Sequence, residues 1–440
     1  MWWRQSFVQH IAALLALAAV TIAAQLLEQD DDPVRFRPIT TFPPAEVPYK
    51  THEVLQSAEK LHELLGVLLA ALIVLVASGA SIEGGAVLDA VFILVLKLGP
   101  NEAIPLASVT VFGGAVCDFL LNFRKKSVSS TDSLINWDFI LMVQPMLLMG
   151  TVFGASIISW FSNWLLIIAL IVYLAYIGKS VFKQTRVVGH EEGWSCCSGS
   201  GSGSLLGAPS SGFQNNDGGF LSRAGLPWRK AGINFGLFAA TILLMALQGG
   251  KYFPSPLGIP PTSIFFLLVS LLPFFFLSVV SHYQMKGVVA TYRRQQNPRF
   301  ILAPNEVQWS VDTIRKLPLH LLGSGAAGGA FGVGSELSIS RLLRGVNFPP
   351  AAVSAMAATT VLFVTGMASF SFFLWGKLDL HLAQFLMPLG FVTTLLGRLC
   401  LLRIARQSSS RTLLLVAIAA TIVVSVFPLS FIALKGLYGL

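Results

Sequence analysis

Residues 319–361 read LHLLGSGAAGGAFGVGSELSISRLLRGVNFPPAAVSAMAATTV, and residues 69–111, about 250 positions earlier, read LAALIVLVASGASIEGGAVLDAVFILVLKLGPNEAIPLASVTV. At one offset Leu69, Leu72, Ala77, Gly79, Ala80, Gly84, Ala107, Thr110 and Val111 meet Leu319, Leu322, Ala327, Gly329, Ala330, Gly334, Ala357, Thr360 and Val361. After a short deletion in the second copy, Pro145, Thr151 and Gly154 answer to Pro388, Thr394 and Gly397. Leucine and alanine matches carry little in so apolar a chain. The glycines, threonines and prolines recurring in order are what make this a repeat.

Composition fixes the class separately. The chain of 440 residues is 54% hydrophobic and only 12% charged, with a mean hydropathy of +0.71. A soluble domain could not keep so much apolar surface from aggregating, so the chain reads as an all-α polytopic membrane protein. A hydrocarbon core roughly 30 Å thick takes about 20 helical residues to cross. Spans are read at 61–80, 102–122, 138–158, 163–182, 231–249, 262–282, 320–331, 350–375, 383–403 and 412–434. Two shorter apolar stretches, 82–97 and 336–345, sit at matching places in the copies. They read either as short tilted helices or as re-entrant segments packed inside protein.

The organisation that follows has seven parts. Residues 1–27 carry Arg4 and then an apolar run from Ile11 to Ala24, and read as a signal peptide or a first membrane segment. Residues 28–60, with Asp30-Asp31-Asp32 and five prolines, read as an extended extracytoplasmic arm. Repeat 1 occupies 61–182, and a cytoplasmic Gly/Ser-rich linker occupies 183–230. Two connecting spans fill 231–282, a cytoplasmic loop 283–318, and repeat 2 runs over 319–434.

Basic residues mark the cytoplasmic side. Arg124-Lys125-Lys126 lies in one loop, Lys183, Arg186, Arg223, Arg229 and Lys230 in a second, Lys286, Arg293, Arg294, Arg299, Arg315 and Lys316 in a third, and Arg398, Arg403, Arg406 and Arg411 in a fourth. If the short stretches cross, all these loops share one face and an odd number of crossings separates the starts of the two copies. The repeats are then inverted, an arrangement in which two similar halves build one central site that opens to either side. If the short stretches are re-entrant, the parity changes.

A family resemblance rests on particular residues. The run Leu96-Lys97-Leu98-Gly99-Pro100-Asn101-Glu102-Ala103-Ile104-Pro105-Leu106-Ala107-Ser108-Val109-Thr110 resembles the first-repeat signature of the TauE/SafE sulfite exporter family. Ile135-Asn136-Trp137-Asp138, Gly328-Gly329-Ala330-Phe331-Gly332-Val333-Gly334, and Pro349-Pro350-Ala351-Ala352-Val353-Ser354-Ala355 followed by Thr359-Thr360 are similar to its eukaryotic members. The resemblance covers roughly 61–434 and implies a transporter of small sulfur-containing anions, such as sulfite or organosulfonates. The glycine clusters are interrupted here, as Ser81-Ile82-Glu83-Gly84-Gly85 and Gly332-Val333-Gly334-Ser335-Glu336.

The chemistry expected at those interruptions needs no family. A helix that starts inside the membrane leaves its first N–H groups without partners and carries about half a positive charge there, so it can hold a small oxyanion. Gly84, Gly85, Gly332, Gly334 and Ser335 are the candidates for that substrate site, with Ser108, Thr110, Thr359 and Thr360 offering hydroxyls one span later. The alternative is that these small residues only allow close helix packing. Charges within apolar stretches cost at least about 2.5–3.5 kcal/mol each to insert, so they need partners or a task. Arg341 is a candidate anion contact, and Glu83 and Glu336 are candidates for coupling anion movement to a proton; Asp89, Asp118 and Arg344 belong to the same group. A position at the membrane–water boundary would equally explain several of them.

Four cysteines, Cys117, Cys196, Cys197 and Cys400, have no metal-site spacing, and no nucleophile motif or P-loop is present in the sequence, so no metal, cofactor or enzymatic activity is expected. The net charge of +9 comes mostly from the loops and indicates orientation and lipid contact rather than nucleic-acid binding. The expected partners are a small anionic substrate and the lipid bilayer of the plasma membrane or an endomembrane, reached through the secretory pathway. Oligomeric state stays open, a homo-oligomer included. Beside a transporter, a non-transporting receptor or scaffold on the same fold accounts for the interrupted glycine clusters.

Overall fold

The structure is a computed structural model that describes residues 66–75, 77–78, 85–123, 125, 133–191, 228–250, 255–256, 258, 264–296, 311–332, 335–345, 348, 350–404, 426 and 429–430. Residues 1–65, the Gly/Ser tract and nearly all of the final span at 412–434 lie outside them. Every regular element among the described residues is a helix. They are α1 (Gly66–Leu75), α2 (Gly85–Leu94), α3 (Pro100–Asn122), α4 (Trp137–Trp160), α5 (Asn163–Glu191), α6 (Trp228–Gln248), α7 (Ile264–Gln295), α8 (Val311–Phe331), α9 (Ser335–Gly345), α10 (Pro350–Leu374) and α11 (Leu380–Ile404).

Among the described residues six helices are long and apolar enough to cross a membrane: α3, α4, α6, α7, α10 and α11. The two short stretches of the sequence are helices as well, α2 and α9. Three boundaries differ from the hydropathy reading. α5 runs to Glu191, past residue 182, and α7 runs to Gln295, past residue 282, so part of each supposed loop is helix that has become polar. α8 begins at Val311, upstream of the apolar stretch, because Arg315, Lys316 and Pro318 interrupt the hydrophobicity without ending the helix. Hydropathy finds where a helix is apolar, not where its hydrogen bonds stop.

α3 and α10 start in one way, and α4 and α11 in another. Pro100 opens α3 and Pro350 opens α10, positions where the missing N–H costs nothing. Asn136 caps α4 by accepting from the Phe139 N–H at 3.1 Å, and Asp379 caps α11 by accepting from the His381 N–H at 2.9 Å. Asn136 and Asp379 are repeat equivalents at the offset that pairs Pro145 with Pro388.

Burial separates centre from rim. The apolar stretches of α4 and α10 are 83% and 89% buried, whereas those of α6, α7 and α11 are 28%, 22% and 28% buried. The three rim helices turn Leu243, Phe265, Phe275 and Phe385 outward, an apolar exterior suited to lipid. Inside, Ile140, Met146, Leu147, Met356, Phe363 and Met367 form the main core shared by α4, α6, α7, α8 and α10.

Helices far apart in the chain interlock: α4 packs along α8 and α11 packs along α3. On the α4–α8 seam the backbones touch: a Cβ on Gly150 or Gly154 would fall on the carbonyl of Leu322 or Ala326, and one on Gly325 or Gly329 on that of Leu147 or Thr151. Small residues at this spacing are what let membrane helices approach so closely.

Candidate functional site

A cavity of about 50 Å³ opens where α1, α3, α9 and α11 meet, and its polar lining residues are Ser78, Asp118, Glu336, Thr394 and Arg398. That volume suits a water molecule or a small oxyanion. The approach of α3 and α11 that creates it depends on Gly113 and Gly390, which put backbone against backbone at Met387 and Thr110.

The charged wall of the cavity is an ion pair between α3 and α11. Arg398 on α11 donates from Nε to Oδ1 of Asp118 on α3 at 2.8 Å and from Nη2 to Oδ2 at 2.9 Å. This is the two-pronged geometry that only guanidinium offers a carboxylate. Both side chains are largely enclosed, 21% and 17% exposed, so the pair is weakly screened. Glu336 completes the charged set from the first turn of α9, where the helix dipole favours a carboxylate.

The residues put forward from sequence fall into groups. Ser335 is buried at the start of α9, and Gly332 turns the chain just before it at φ +63°. Gly332 lies against Ser108 of α3, so these two candidates, far apart in the chain, are neighbours. The Ser108 hydroxyl donates to the Ile104 carbonyl at 2.9 Å, Thr110 to Leu106 at 2.8 Å, Thr359 to Ala355 at 2.8 Å and Thr360 to Ala357 at 2.7 Å. All four hydroxyls are buried and each gives its proton to its own helix. Their remaining capacity is to accept, which is poorly matched to an anion. Gly85 is buried at the start of α2; Glu83, Gly84 and Gly334 lie outside the described residues.

Arg341 stands elsewhere. It is exposed, donates to the Tyr176 hydroxyl at 2.8 Å and stacks 5.5 Å from that ring's centre. Tyr176 borders a second cavity of about 210 Å³, lined also by Tyr173, His320, Ser324 and Ser338. Asp89, in the middle of α2, is completely buried with neither carboxyl oxygen hydrogen-bonded among the described residues. Among the described residues no three His, Cys, Asp or Glu side chains converge as a metal site requires.

Reading the sequence singled out Asp118 as a charge in an apolar stretch but assigned Arg398 only to a cytoplasmic loop. The signal for Arg398 was present: it falls inside the apolar stretch 383–403. What carried no signal is the pairing of the two, 280 residues apart in the chain.

Comparison with known proteins gives similarity to plant proteins. "Sulfite exporter TauE/SafE family protein 1" of Arabidopsis thaliana is 22% identical over 372 residues, spanning 80% of this chain and 79% of the relative. Protein 5 of that family in the same plant is 23% identical over 338 residues, spanning 73% and 72%, and protein 3 is 22% identical over 379 residues, spanning 82% and 76%. No family model and no solved structure matches the chain. The matched relatives support the family assignment read from the sequence.

Proposed function

We propose that this chain, assigned by these similarities to the TauE/SafE sulfite exporter family, carries a small sulfur-containing anion such as sulfite or an organosulfonate across a membrane of the secretory pathway, with export as its direction. Integral membrane character and transporter relatives are its starting points. The observation that carries the reading is the cavity between the copies, where Arg398 supplies the cation that anion recognition needs. Inverted repeats, alternating access at that junction and proton coupling through Glu336 or Glu83 complete the proposal. In support, each copy's fourth helix lies on the other copy, as expected of two halves built around one shared site.

The test is uptake of labelled sulfite into proteoliposomes holding the purified chain, with sulfate and methanesulfonate as competitors and an imposed pH gradient. Saturable, competed flux that responds to the gradient is the expected result. Flux equal to that of empty vesicles, from protein shown to be folded, would replace transport with the receptor or scaffold reading, which the interrupted glycine clusters favour.

A further inference from the structure

The second cavity, about 210 Å³, is many times the roughly 10–15 Å³ that one water needs, and transport as proposed above makes no use of it. It lies between α5, α8 and α9 because small residues are turned toward it. On α8, Gly325 and Gly329 form the tight seam with α4, while Gly323 and Ala327, two positions before each, fall on the opposite side and line the cavity. A Cβ at Gly323 would meet nothing within 4 Å. The hollow is therefore open room rather than a packing contact. On α9, Glu336 lines the charged cavity and Ser338, two positions on and so across the helix, lines this one. The short helix α9 is a wall that the two cavities share.

The polar part of its lining has hydrogen-bond protons to give. Tyr176 Oη accepts from Arg341 Nη1 at 2.8 Å, so the phenol keeps its own proton to donate elsewhere. Arg341 holds further contacts as well, and only the one to Tyr176 is needed here. Unlike the Ser108 and Thr110 hydroxyls, which bond to their own helix, the Ser324 hydroxyl is enclosed with no partner among the described residues. That is a cost which an acceptor entering the cavity removes. His320 and Ser338 add a ring N–H and another hydroxyl, and none of the described lining residues is acidic. Such a lining suits a group with several acceptor oxygens, which is the chemistry of a phosphate ester.

The mouth of the cavity opens outward from the bundle. Leu319 at its rim is 79% exposed, and Val172, one turn along α5 from Tyr176, is 66% exposed, an apolar surface on which an acyl chain can lie. Tyr173 stacks on Phe331 at the far end of α8, ring centres 4.8 Å apart, while Tyr176 shares the cavity with His320. α5 and α8 therefore run antiparallel, and both become basic in the same direction. The apolar part of α5 ends at Lys179, and exposed Arg315 and Lys316 lie one turn from Leu319 on α8. Tyrosine and basic side chains above exposed apolar ones mark a membrane–water boundary, the depth of a phospholipid headgroup. We infer that this cavity binds the phosphate headgroup of an anionic membrane phospholipid, with Tyr176 and Ser324 as phosphate contacts and the acyl chains along α5. A further consequence, which alone rests on the transport reading above, is that the bound lipid braces α9 behind the charged cavity and supports flux.

The experiment offers the purified full chain phosphatidylcholine and phosphatidic acid together and reads the retained lipid by native mass spectrometry, with inorganic phosphate as a soluble competitor. Sulfite flux is followed in proteoliposomes of phosphatidylcholine with and without phosphatidic acid. The wild type is expected to retain phosphatidic acid with at least about tenfold preference, undisplaced by inorganic phosphate. Gly323→Leu, whose side chain enters the hollow, should abolish retention, whereas Gly236→Leu on α6, equally open at its Cβ, should leave it intact. Tyr176→Phe keeps the ring beside Arg341 and should weaken retention by about tenfold. A Gly323→Leu protein that retains the lipid as the wild type does would overturn the site. Equal retention of the two lipids, or of neither, would overturn the anionic headgroup, and displacement by inorganic phosphate would make the occupant a soluble ion instead. Unchanged retention in Tyr176→Phe would remove the contact assigned to that hydroxyl. Flux that is the same in both bilayers and in Gly323→Leu would overturn the bracing of α9 alone. Lipid retained by a wild type that moves no sulfite would sink the transport reading and leave the lipid site standing.

Discussion

Gly332 turns directly against Ser108: a Cβ on Gly332 would stand 2.8 Å from the Ser108 hydroxyl oxygen and 3.4 Å from its Cα. The turn at φ +63° that leads into α9 is thus seated on α3. Gly332→Ala suffers twice, from left-handed backbone and from collision. We expect a loss of at least about 1–2 kcal/mol from the backbone alone, read as a lower unfolding temperature of the purified protein. Adding Ser108→Ala should return the collision part only; full recovery would show that the turn itself is unstrained.

Glycines on two helices should respond with opposite sign to the same change. Gly154→Ala drives a methyl into the Ala326 carbonyl across the α4–α8 seam and should cost about 1–3 kcal/mol or more. Gly236→Ala on α6 meets nothing within 4 Å and should stabilise by about 0.5–1 kcal/mol, because alanine is the better helix former. Thermal unfolding of both variants in one detergent decides it; equal effects would mean that the seam is not tight.

Two ion pairs should also differ. Arg398→Gln strands Asp118 in an enclosed site and should cost about 3–5 kcal/mol, with the double variant at Asp118 and Arg398 much less damaging. Lys230–Asp138, whose side chains are 54% and 66% exposed, should contribute no more than about 1 kcal/mol when Lys230 is changed to Gln. Double-mutant cycles on unfolding would measure both coupling energies. A negligible value for Asp118 and Arg398 would count against the enclosed pair.

Asp89 offers a gain rather than a loss. Its carboxyl is buried without a hydrogen bond among the described residues, so Asp89→Leu removes an uncompensated polar group. The expected stabilisation is about 1–3 kcal/mol, measured by unfolding temperature. A marked destabilisation would mean that the carboxyl is satisfied by something the helix packing does not reveal.

Much of this architecture can be read from residue order because it is built from local rules. Apolar length locates α3, α4, α10 and α11, and the prolines, glycines and caps mark their starts. Hydropathy fails at the polar ends of α5 and α7, since polar helical turns keep their hydrogen bonds without being apolar. The glycine break at Gly332 was legible, and so was the acid at Glu336. What no local rule supplies is the pairing of Asp118 with Arg398, which depends on how α3 crosses α11. Arg341, equally charged and equally placed in an apolar stretch, instead turns outward to Tyr176. Helical phase, which a short segment leaves free, decides between those two fates.

The seam of Gly150, Gly154, Gly325 and Gly329 bears on how such a chain can be made. α4 and α8 each carry half of a groove that the backbone of the other fills, so neither has a finished surface of its own. During synthesis α4 comes first, and its glycine face stays uncovered until the ribosome delivers α8.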